Sequence, residues 1–168
     1  MRKTVIKYGL YSLLAASILF LLAFLIGKGM SYSVQETVGY ITMVVSLVFV
    51  FFGIRHYRDR VNNGKVSFGK ALFIGFMISL FAGLGFGVVD YIYTTMINPD
   101  FAQEYLTTMV ADMKATLPAE EFEVQKANLE QQMEEYGGSG FMAFIMFATV
   151  AMIGLVISII SALILQRK

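Results

Sequence analysis

The 168-residue chain contains no cysteine, no tryptophan, one histidine and two prolines. Without cysteine, disulfides, thiolate metal sites and thiol catalysis are excluded. A single histidine excludes a bis-histidine haem or a two-histidine metal site within one chain. Without tryptophan, an aromatic belt at a membrane surface has to be built from tyrosine. Charge is also scarce, at 15% of residues, and it clusters, so long stretches carry none. What fills those stretches is apolar: 57% of residues are hydrophobic, where about 45–50% is usual for a soluble domain. With a mean hydropathy of +0.68, this composition describes an integral membrane protein. The length suits a single membrane domain over residues 1–168.

The segment Phe68 to Val89 organises the rest. Its sole charge is Lys70, near its start. As a helix rising about 1.5 Å per residue it is about 33 Å long, enough for a hydrocarbon core of about 30 Å. Small residues recur in it at every fourth position: Ala71, Gly75, Ser79, Gly83 and Gly87. That spacing makes a stripe with little side chain, along which another helix backbone can approach closely. Because four residues advance a helix by about 400°, the stripe winds. The contact is therefore expected at Gly75, Ser79 and Gly83. The final span is the expected partner through Gly154, Ser158 and Ala162, and the first span, through Ser12, Ala16 and Ala23, is second. Phe81 is expected to face lipid.

Four spans are predicted, at about 8–27, 34–54, 68–93 and 141–165. The first follows Arg2, Lys3 and Lys7. It is too long for the apolar part of a secretory signal, and Leu25-Ile26-Gly27-Lys28 is a poor cleavage site, so an uncleaved span is expected. A short connector around Lys28 makes the second span its antiparallel neighbour. In that span Gly39, Ser46 and Gly53 recur every seven residues. Asn62-Asn63-Gly64 signals a turn before the third span.

Residues 94–140 form the sizeable polar region. Nine acids stand there against Lys114 and Lys126, a net charge of −7. Asn98-Pro99-Asp100 reads as a helix start, with asparagine as the cap. Thr116-Leu117-Pro118 divides the region into two amphipathic runs, so an αα-hairpin over about 98–136 is predicted. Gly137-Gly138-Ser139-Gly140 reads as a flexible joint. The fold class is thus all-α: a four-helix transmembrane bundle with an extracytoplasmic acidic αα-hairpin between spans 3 and 4. Ten of the 13 basic residues fall on the side shared by both termini and the 55–67 loop. The positive-inside rule makes that side cytoplasmic.

The segments Phe52-Gly53-Ile54-Arg55-His56-Tyr57-Arg58-Asp59, Gly64-Lys65-Val66-Ser67-Phe68-Gly69-Lys70-Ala71 and Ile97-Asn98-Pro99-Asp100-Phe101 resemble a domain-of-unknown-function family of small four-span bacterial membrane proteins. The resemblance covers most of the chain. It implies the architecture and a bacterial cytoplasmic (inner) membrane, and it brings neither an activity nor functional residues.

Few residues offer chemistry. Asp90 is the carboxylate attached to an apolar span without an adjacent base, which makes it a candidate for proton or cation passage. Its place near the outer end of span 3 makes an interfacial carboxylate, reached by water, the expected reading. His56 sits in the basic loop as a solvated or headgroup-contacting group. Arg55, Arg58, Arg60 and Lys65 either contact anionic lipid headgroups or serve as a topology signal alone. The acidic hairpin lacks the pattern of a calcium loop and reads as a solvated face. Gly83-x-Gly85-x-Gly87 lies inside a span with no strand before it, so a nucleotide loop is rejected. No metal site, cofactor or nucleic-acid partner is expected. The reading is a non-enzymatic structural or accessory membrane component, packing on the bilayer, on itself or on another membrane protein. The alternative is a small oligomeric transporter or channel, for which Asp90 and span hydroxyls such as Ser46 and Ser79 are the available polar groups.

Overall fold

In the computed structural model, residues 1–27 and 29–167 are described, the side chain of residue 32 excepted. Lys28 and Lys168, which the sequence places in the first connector and in the terminal basic cluster, lie outside the described residues. The helices are α1 (Arg2–Gly27), α2 (Tyr32–Ser46), α3 (Val48–His56), α4 (Phe68–Ile92), α5 (Phe101–Thr116), α6 (Ala119–Tyr136) and α7 (Ser139–Leu165). Among the described residues, four apolar helical stretches are long enough to cross a bilayer: Arg2–Gly27, Ser33–Val61, Phe68–Ile97 and Ser139–Leu165. The chain is a multi-pass membrane protein built from these four. It divides into two compact units, Met1–Val89 with Ile145–Lys168, and Asp90–Phe144.

Within the first unit α4 is the central helix. Half of its most apolar window is buried, against 22%, 33% and 17% for the first, second and fourth spans. Ala71, Ile74, Ile78, Ala82 and Phe86, spaced by three and four, are all fully buried on it. Large apolar side chains instead point away from the protein: Leu14, Ile18 and Ile26 on α1, Ile41 and Val44 on α2, Phe73 and Leu84 on α4, Met152, Val156 and Ile164 on α7. Exposed apolar surface on every long helix is untenable in water and natural in lipid. The small hydroxyl residues Ser12, Ser46, Ser79, Ser158 and Ser161 are buried.

Packing registers give the directions of the helices. On α4, Gly75 meets Ser158 of α7, and one turn further Ser79 meets Gly154. One helix ascends as the other descends, so α4 and α7 are antiparallel. Phe81 meets Gly9 and Gly85 meets Leu13; both numbers rise, so α1 and α4 are parallel. Alternation of this kind is what four successive crossings require.

The second span differs from the uninterrupted helix expected over 34–54. It breaks at Leu47, between α2 and α3, where the Val50 N–H turns to the Leu47 carbonyl at 3.0 Å. The Ser12 hydroxyl donates to the Ser46 carbonyl at 2.8 Å, with both residues fully buried. In a membrane interior a freed backbone acceptor has to find a protein donor, and a serine from the neighbouring helix supplies one. Spans 2 and 3 both end in a wide π-turn, Tyr57–Val61 and Tyr93–Ile97. The turn at Asn63 and Gly64 has positive φ at both residues, 52° and 80°. Beyond it Val66 and Arg167 exchange backbone hydrogen bonds of 2.9 and 2.8 Å.

The second unit contains α5 and α6, joined at Leu117-Pro118 as the sequence predicts. Neither helix has a fully buried residue. Phe101, Tyr105 and Met109 on α5, and Phe122, Leu129 and Met133 on α6, are half-buried and form the apolar stripes. The helix start lies later than expected: Asp100, not Asn98, precedes the first helical residue, and the Asn98 side-chain amide donates to Glu104 at 2.9 Å. The glycine joint is also shorter, because α7 already begins at Ser139 and includes Gly140.

Candidate functional site

The small-residue stripe of α4 lies on a helix seam. A Cβ placed on Gly75 would stand 2.7 Å from the Ser158 hydroxyl and 3.0 Å from Ile54 Cδ1. A Cβ on Gly83 would stand 3.0 Å from the Phe147 carbonyl oxygen. Gly154 receives the Ser79 side chain, with the hydroxyl 2.6 Å from its missing Cβ. Ala71 and Ala162 are fully buried, and Gly87 is buried. Ala71, Gly75, Ser79 and Gly83, with Gly154, Ser158 and Ala162, thus all lie in the interior. Close approach lets weak dispersion and Cα–H···O contacts act together where the hydrophobic effect does not separate lipid from core.

A second seam on α4 was not read from spacing. Gly85 faces α1, where its missing Cβ would lie 2.8 Å from the Leu13 carbonyl oxygen and 3.2 Å from the Ala16 Cβ. Phe81, expected to face lipid, packs its ring on Gly9 of α1 at 2.7 Å from the missing Cβ. Gly53 holds Ile78 Cδ1 and Tyr8, whereas Gly39, about four turns away on the same sevenfold spacing, has open space around it. The alternation Gly83-x-Gly85 was the available signal: residues two apart on a helix point to different sides, so two seams are implied.

The hydroxyls offered for a polar path are engaged locally. Ser46 donates to the Met43 carbonyl at 2.8 Å, Ser79 to Phe76 at 2.8 Å and Ser158 to Gly154 at 2.6 Å. Asp90 differs from the interfacial carboxylate expected of it. It is only 4% exposed, and among the described residues its buried Oδ2 has no hydrogen-bond partner. Its backbone carbonyl accepts from the Thr94 hydroxyl at 2.9 Å. Position along a helix fixes depth only approximately, whereas packing decides exposure.

The basic cluster does not act as one surface. Arg58 is buried, donating to both oxygens of Asp59 at 2.6 and 3.0 Å and to the Leu165 carbonyl at 3.4 Å. It is therefore a packing residue at the end of α7, a role that neither the headgroup nor the topology-signal alternative gave it. Arg55 is exposed and pairs with Asp59 at 3.6 Å. Arg60 and Lys65 are exposed. His56 is half-buried, its ring 5.3 Å from that of Tyr8, and its Nδ1 is buried without a partner. Among the described residues, no three histidine or acidic residues stand together as a metal site would need.

A family model described as a protein of unknown function, DUF4199, matches residues 7–167. No curated protein matches the chain, and no solved structure does.

Proposed function

We propose that this chain, which belongs to the DUF4199 family of proteins of unknown function, is a non-enzymatic structural or accessory component of a bacterial cytoplasmic membrane. One observation carries the reading. Four of the five buried span serines donate to backbone carbonyls, Ser12 at the break in span 2 and Ser46, Ser79 and Ser158 on their own helices. The Ser12 bond ties α1 to the second span, and the other three hydroxyls donate their protons within their own helices, so all four serve the packed helices themselves. Oligomerisation, or packing on another membrane protein, uses the apolar flanks of α1 and α7. In proteoliposomes, fluxes of protons, sodium and potassium are expected to equal those of protein-free vesicles. Mass spectrometry of material purified from native membrane in mild detergent then identifies the companion.

One observation favours a second reading, a small transporter or channel: the buried, unpartnered Oδ2 of Asp90. Buried acids inside spans mark ion and proton routes. A flux above that of empty vesicles, abolished by Asp90→Asn in normally inserted protein, would replace the accessory role with this one.

The proposed orientation puts both termini and the 55–67 loop in the cytoplasm and the −7 hairpin region outside. The chain has no cysteine, so single cysteines report cleanly. In intact cells an impermeant thiol reagent is expected to label a cysteine at Glu121 and to leave one at Asn63 untouched. The reverse pattern would invert the topology.

A further inference from the structure

Where α1 begins, the first unit carries an open cleft of about 470 Å³ lined by Met1, Arg2, Lys3, Thr4, Lys7, His56 and Val61. Ligand pockets span about 300–1,000 Å³, so the cleft has room for a polar headgroup. No acid lines it. Among the described residues, no ion pair engages Arg2, Lys3 or Lys7; the carboxylate nearest in sequence on the adjoining helix end, Asp59, is occupied by Arg58 and Arg55. Lys7 is held instead by aromatic faces, with Nζ 5.6 Å from the Tyr8 centroid and 6.0 Å from that of Tyr11. Aromatic faces fix an ammonium without neutralising it. Tyr8 also packs on the His56 ring, whose Nδ1 lacks a partner. The first turn of α1 adds N–H groups without intrahelical acceptors and the positive end of the helix dipole.

We propose that this cleft is an anion site for a phosphate group, supplied by the headgroup of an anionic phospholipid. Three cationic side chains, a helix start and an imidazole converge on one concavity with no counter-charge among the described residues, and phosphate is the anion such donor sets recognise. The lipid source follows from what adjoins the cleft. Ile6, Leu10 and Leu14, each exposed, continue from Arg2 along one face of α1 at four-residue spacing. Acyl chains lie along that stripe while the phosphate sits among Arg2, Lys3 and Lys7. The site differs from the arginine-rich loop that the sequence suggested, because there Arg55 and Arg58 already have Asp59. The proposal needs the four helices to span a bilayer but is independent of the accessory role, so a flux result leaves it standing.

The test uses the full chain in nanodiscs of phosphatidylcholine, alone or with phosphatidylglycerol, and inorganic phosphate added to the first. Thermal unfolding and native mass spectrometry of retained lipid are the readouts. Phosphatidylglycerol is expected to raise the midpoint by at least about 3 °C and to remain bound. The combined change Arg2→Gln, Lys3→Gln and Lys7→Gln removes both effects, and Arg60→Gln with Lys65→Gln, outside the cleft, keeps them. Val61→Trp fills the cleft without touching charge and is expected to remove them too, which covers the case in which the triple variant inserts poorly. A shift produced equally by inorganic phosphate supports the phosphate site and assigns it to the free ion. No shift from either source, or equal losses in the Arg60/Lys65 variant and the cleft variants, overturns the proposal.

Discussion

Gly85→Ala is expected to destabilise the protein by about 1–3 kcal/mol, the usual cost of forcing a methyl into a filled interior. The added Cβ would stand 2.8 Å from the Leu13 carbonyl oxygen, 3.0 Å from the Ser17 hydroxyl and 3.2 Å from the Ala16 Cβ. The serine can rotate, but a carbonyl inside a helix moves only if α1 moves. Gly39→Ala is the same chemical change in the middle of α2, where nothing lies within 4 Å of the new methyl. There the restricted unfolded chain should add about 0.5–1 kcal/mol of stability. Two identical substitutions are therefore expected to shift the thermal midpoint in opposite directions in one detergent. Gly85→Leu, with a longer side chain at the same contact, is expected to yield little monodisperse protein. If Gly85→Ala melts at or above the unsubstituted protein, the α1–α4 seam is not a close contact.

The second large effect is a coupling. Gly154→Ala places a methyl against the Ser79 side chain, whose hydroxyl is 2.6 Å from that position and is tied to the Phe76 carbonyl at 2.8 Å. Ser79→Gly alone loses that bond and adds backbone freedom, a cost of about 1–2 kcal/mol. In the double variant the methyl enters space that the serine has left, so the smaller residue merely changes helices. Gly154→Ala with Ser79→Gly is expected to be more stable than Gly154→Ala alone, with a coupling of about 1–3 kcal/mol, near the top of the range for touching residues. Thermal or denaturant unfolding of the four proteins in a double-mutant cycle gives the value. Simple additivity would mean that the two positions do not touch, and the antiparallel register of α4 and α7 would fall with them.

Asp90 and Arg58 show how far charge in the sequence leads. Asp90 was read by its place near a span end and Arg58 as one of a basic loop cluster, and both are buried, at 4% and 8% exposure. For Arg58 the structure supplies the reason: the guanidinium is engaged by Asp59 and by the Leu165 carbonyl at the end of α7. Asp59 is visible within RHYRDR, but Leu165 is 107 residues away and nothing local announces it. The cleft at the start of α1 is legible only in part for the same reason. Arg2, Lys3 and Lys7 are visible as a basic start, but His56 and Val61 reach them only through folding.

What the sequence by itself determined is what depends on local composition and length. Four apolar runs of sufficient length, two amphipathic runs between the third and fourth, and a turn at Asn62-Asn63-Gly64 each follow from neighbouring residues, and each is present. Small residues at fourfold spacing marked a helix able to receive another closely, since that property belongs to one helix alone. The tertiary structure decided which way each helix turns. In water an apolar stripe against a polar face settles that question; in a bilayer the lipid is as apolar as the core, and α4 carries no such contrast. Hence Phe81 turns inward onto Gly9 while Phe73 faces lipid, and Gly85 is packed while Gly39 stands in open space. The break at Leu47 belongs to the same class, because it is tolerated only where Ser12 of another helix reaches the Ser46 carbonyl. Contacts of this kind are made between distant parts of the chain, and their energy comes from proximity that no single segment possesses.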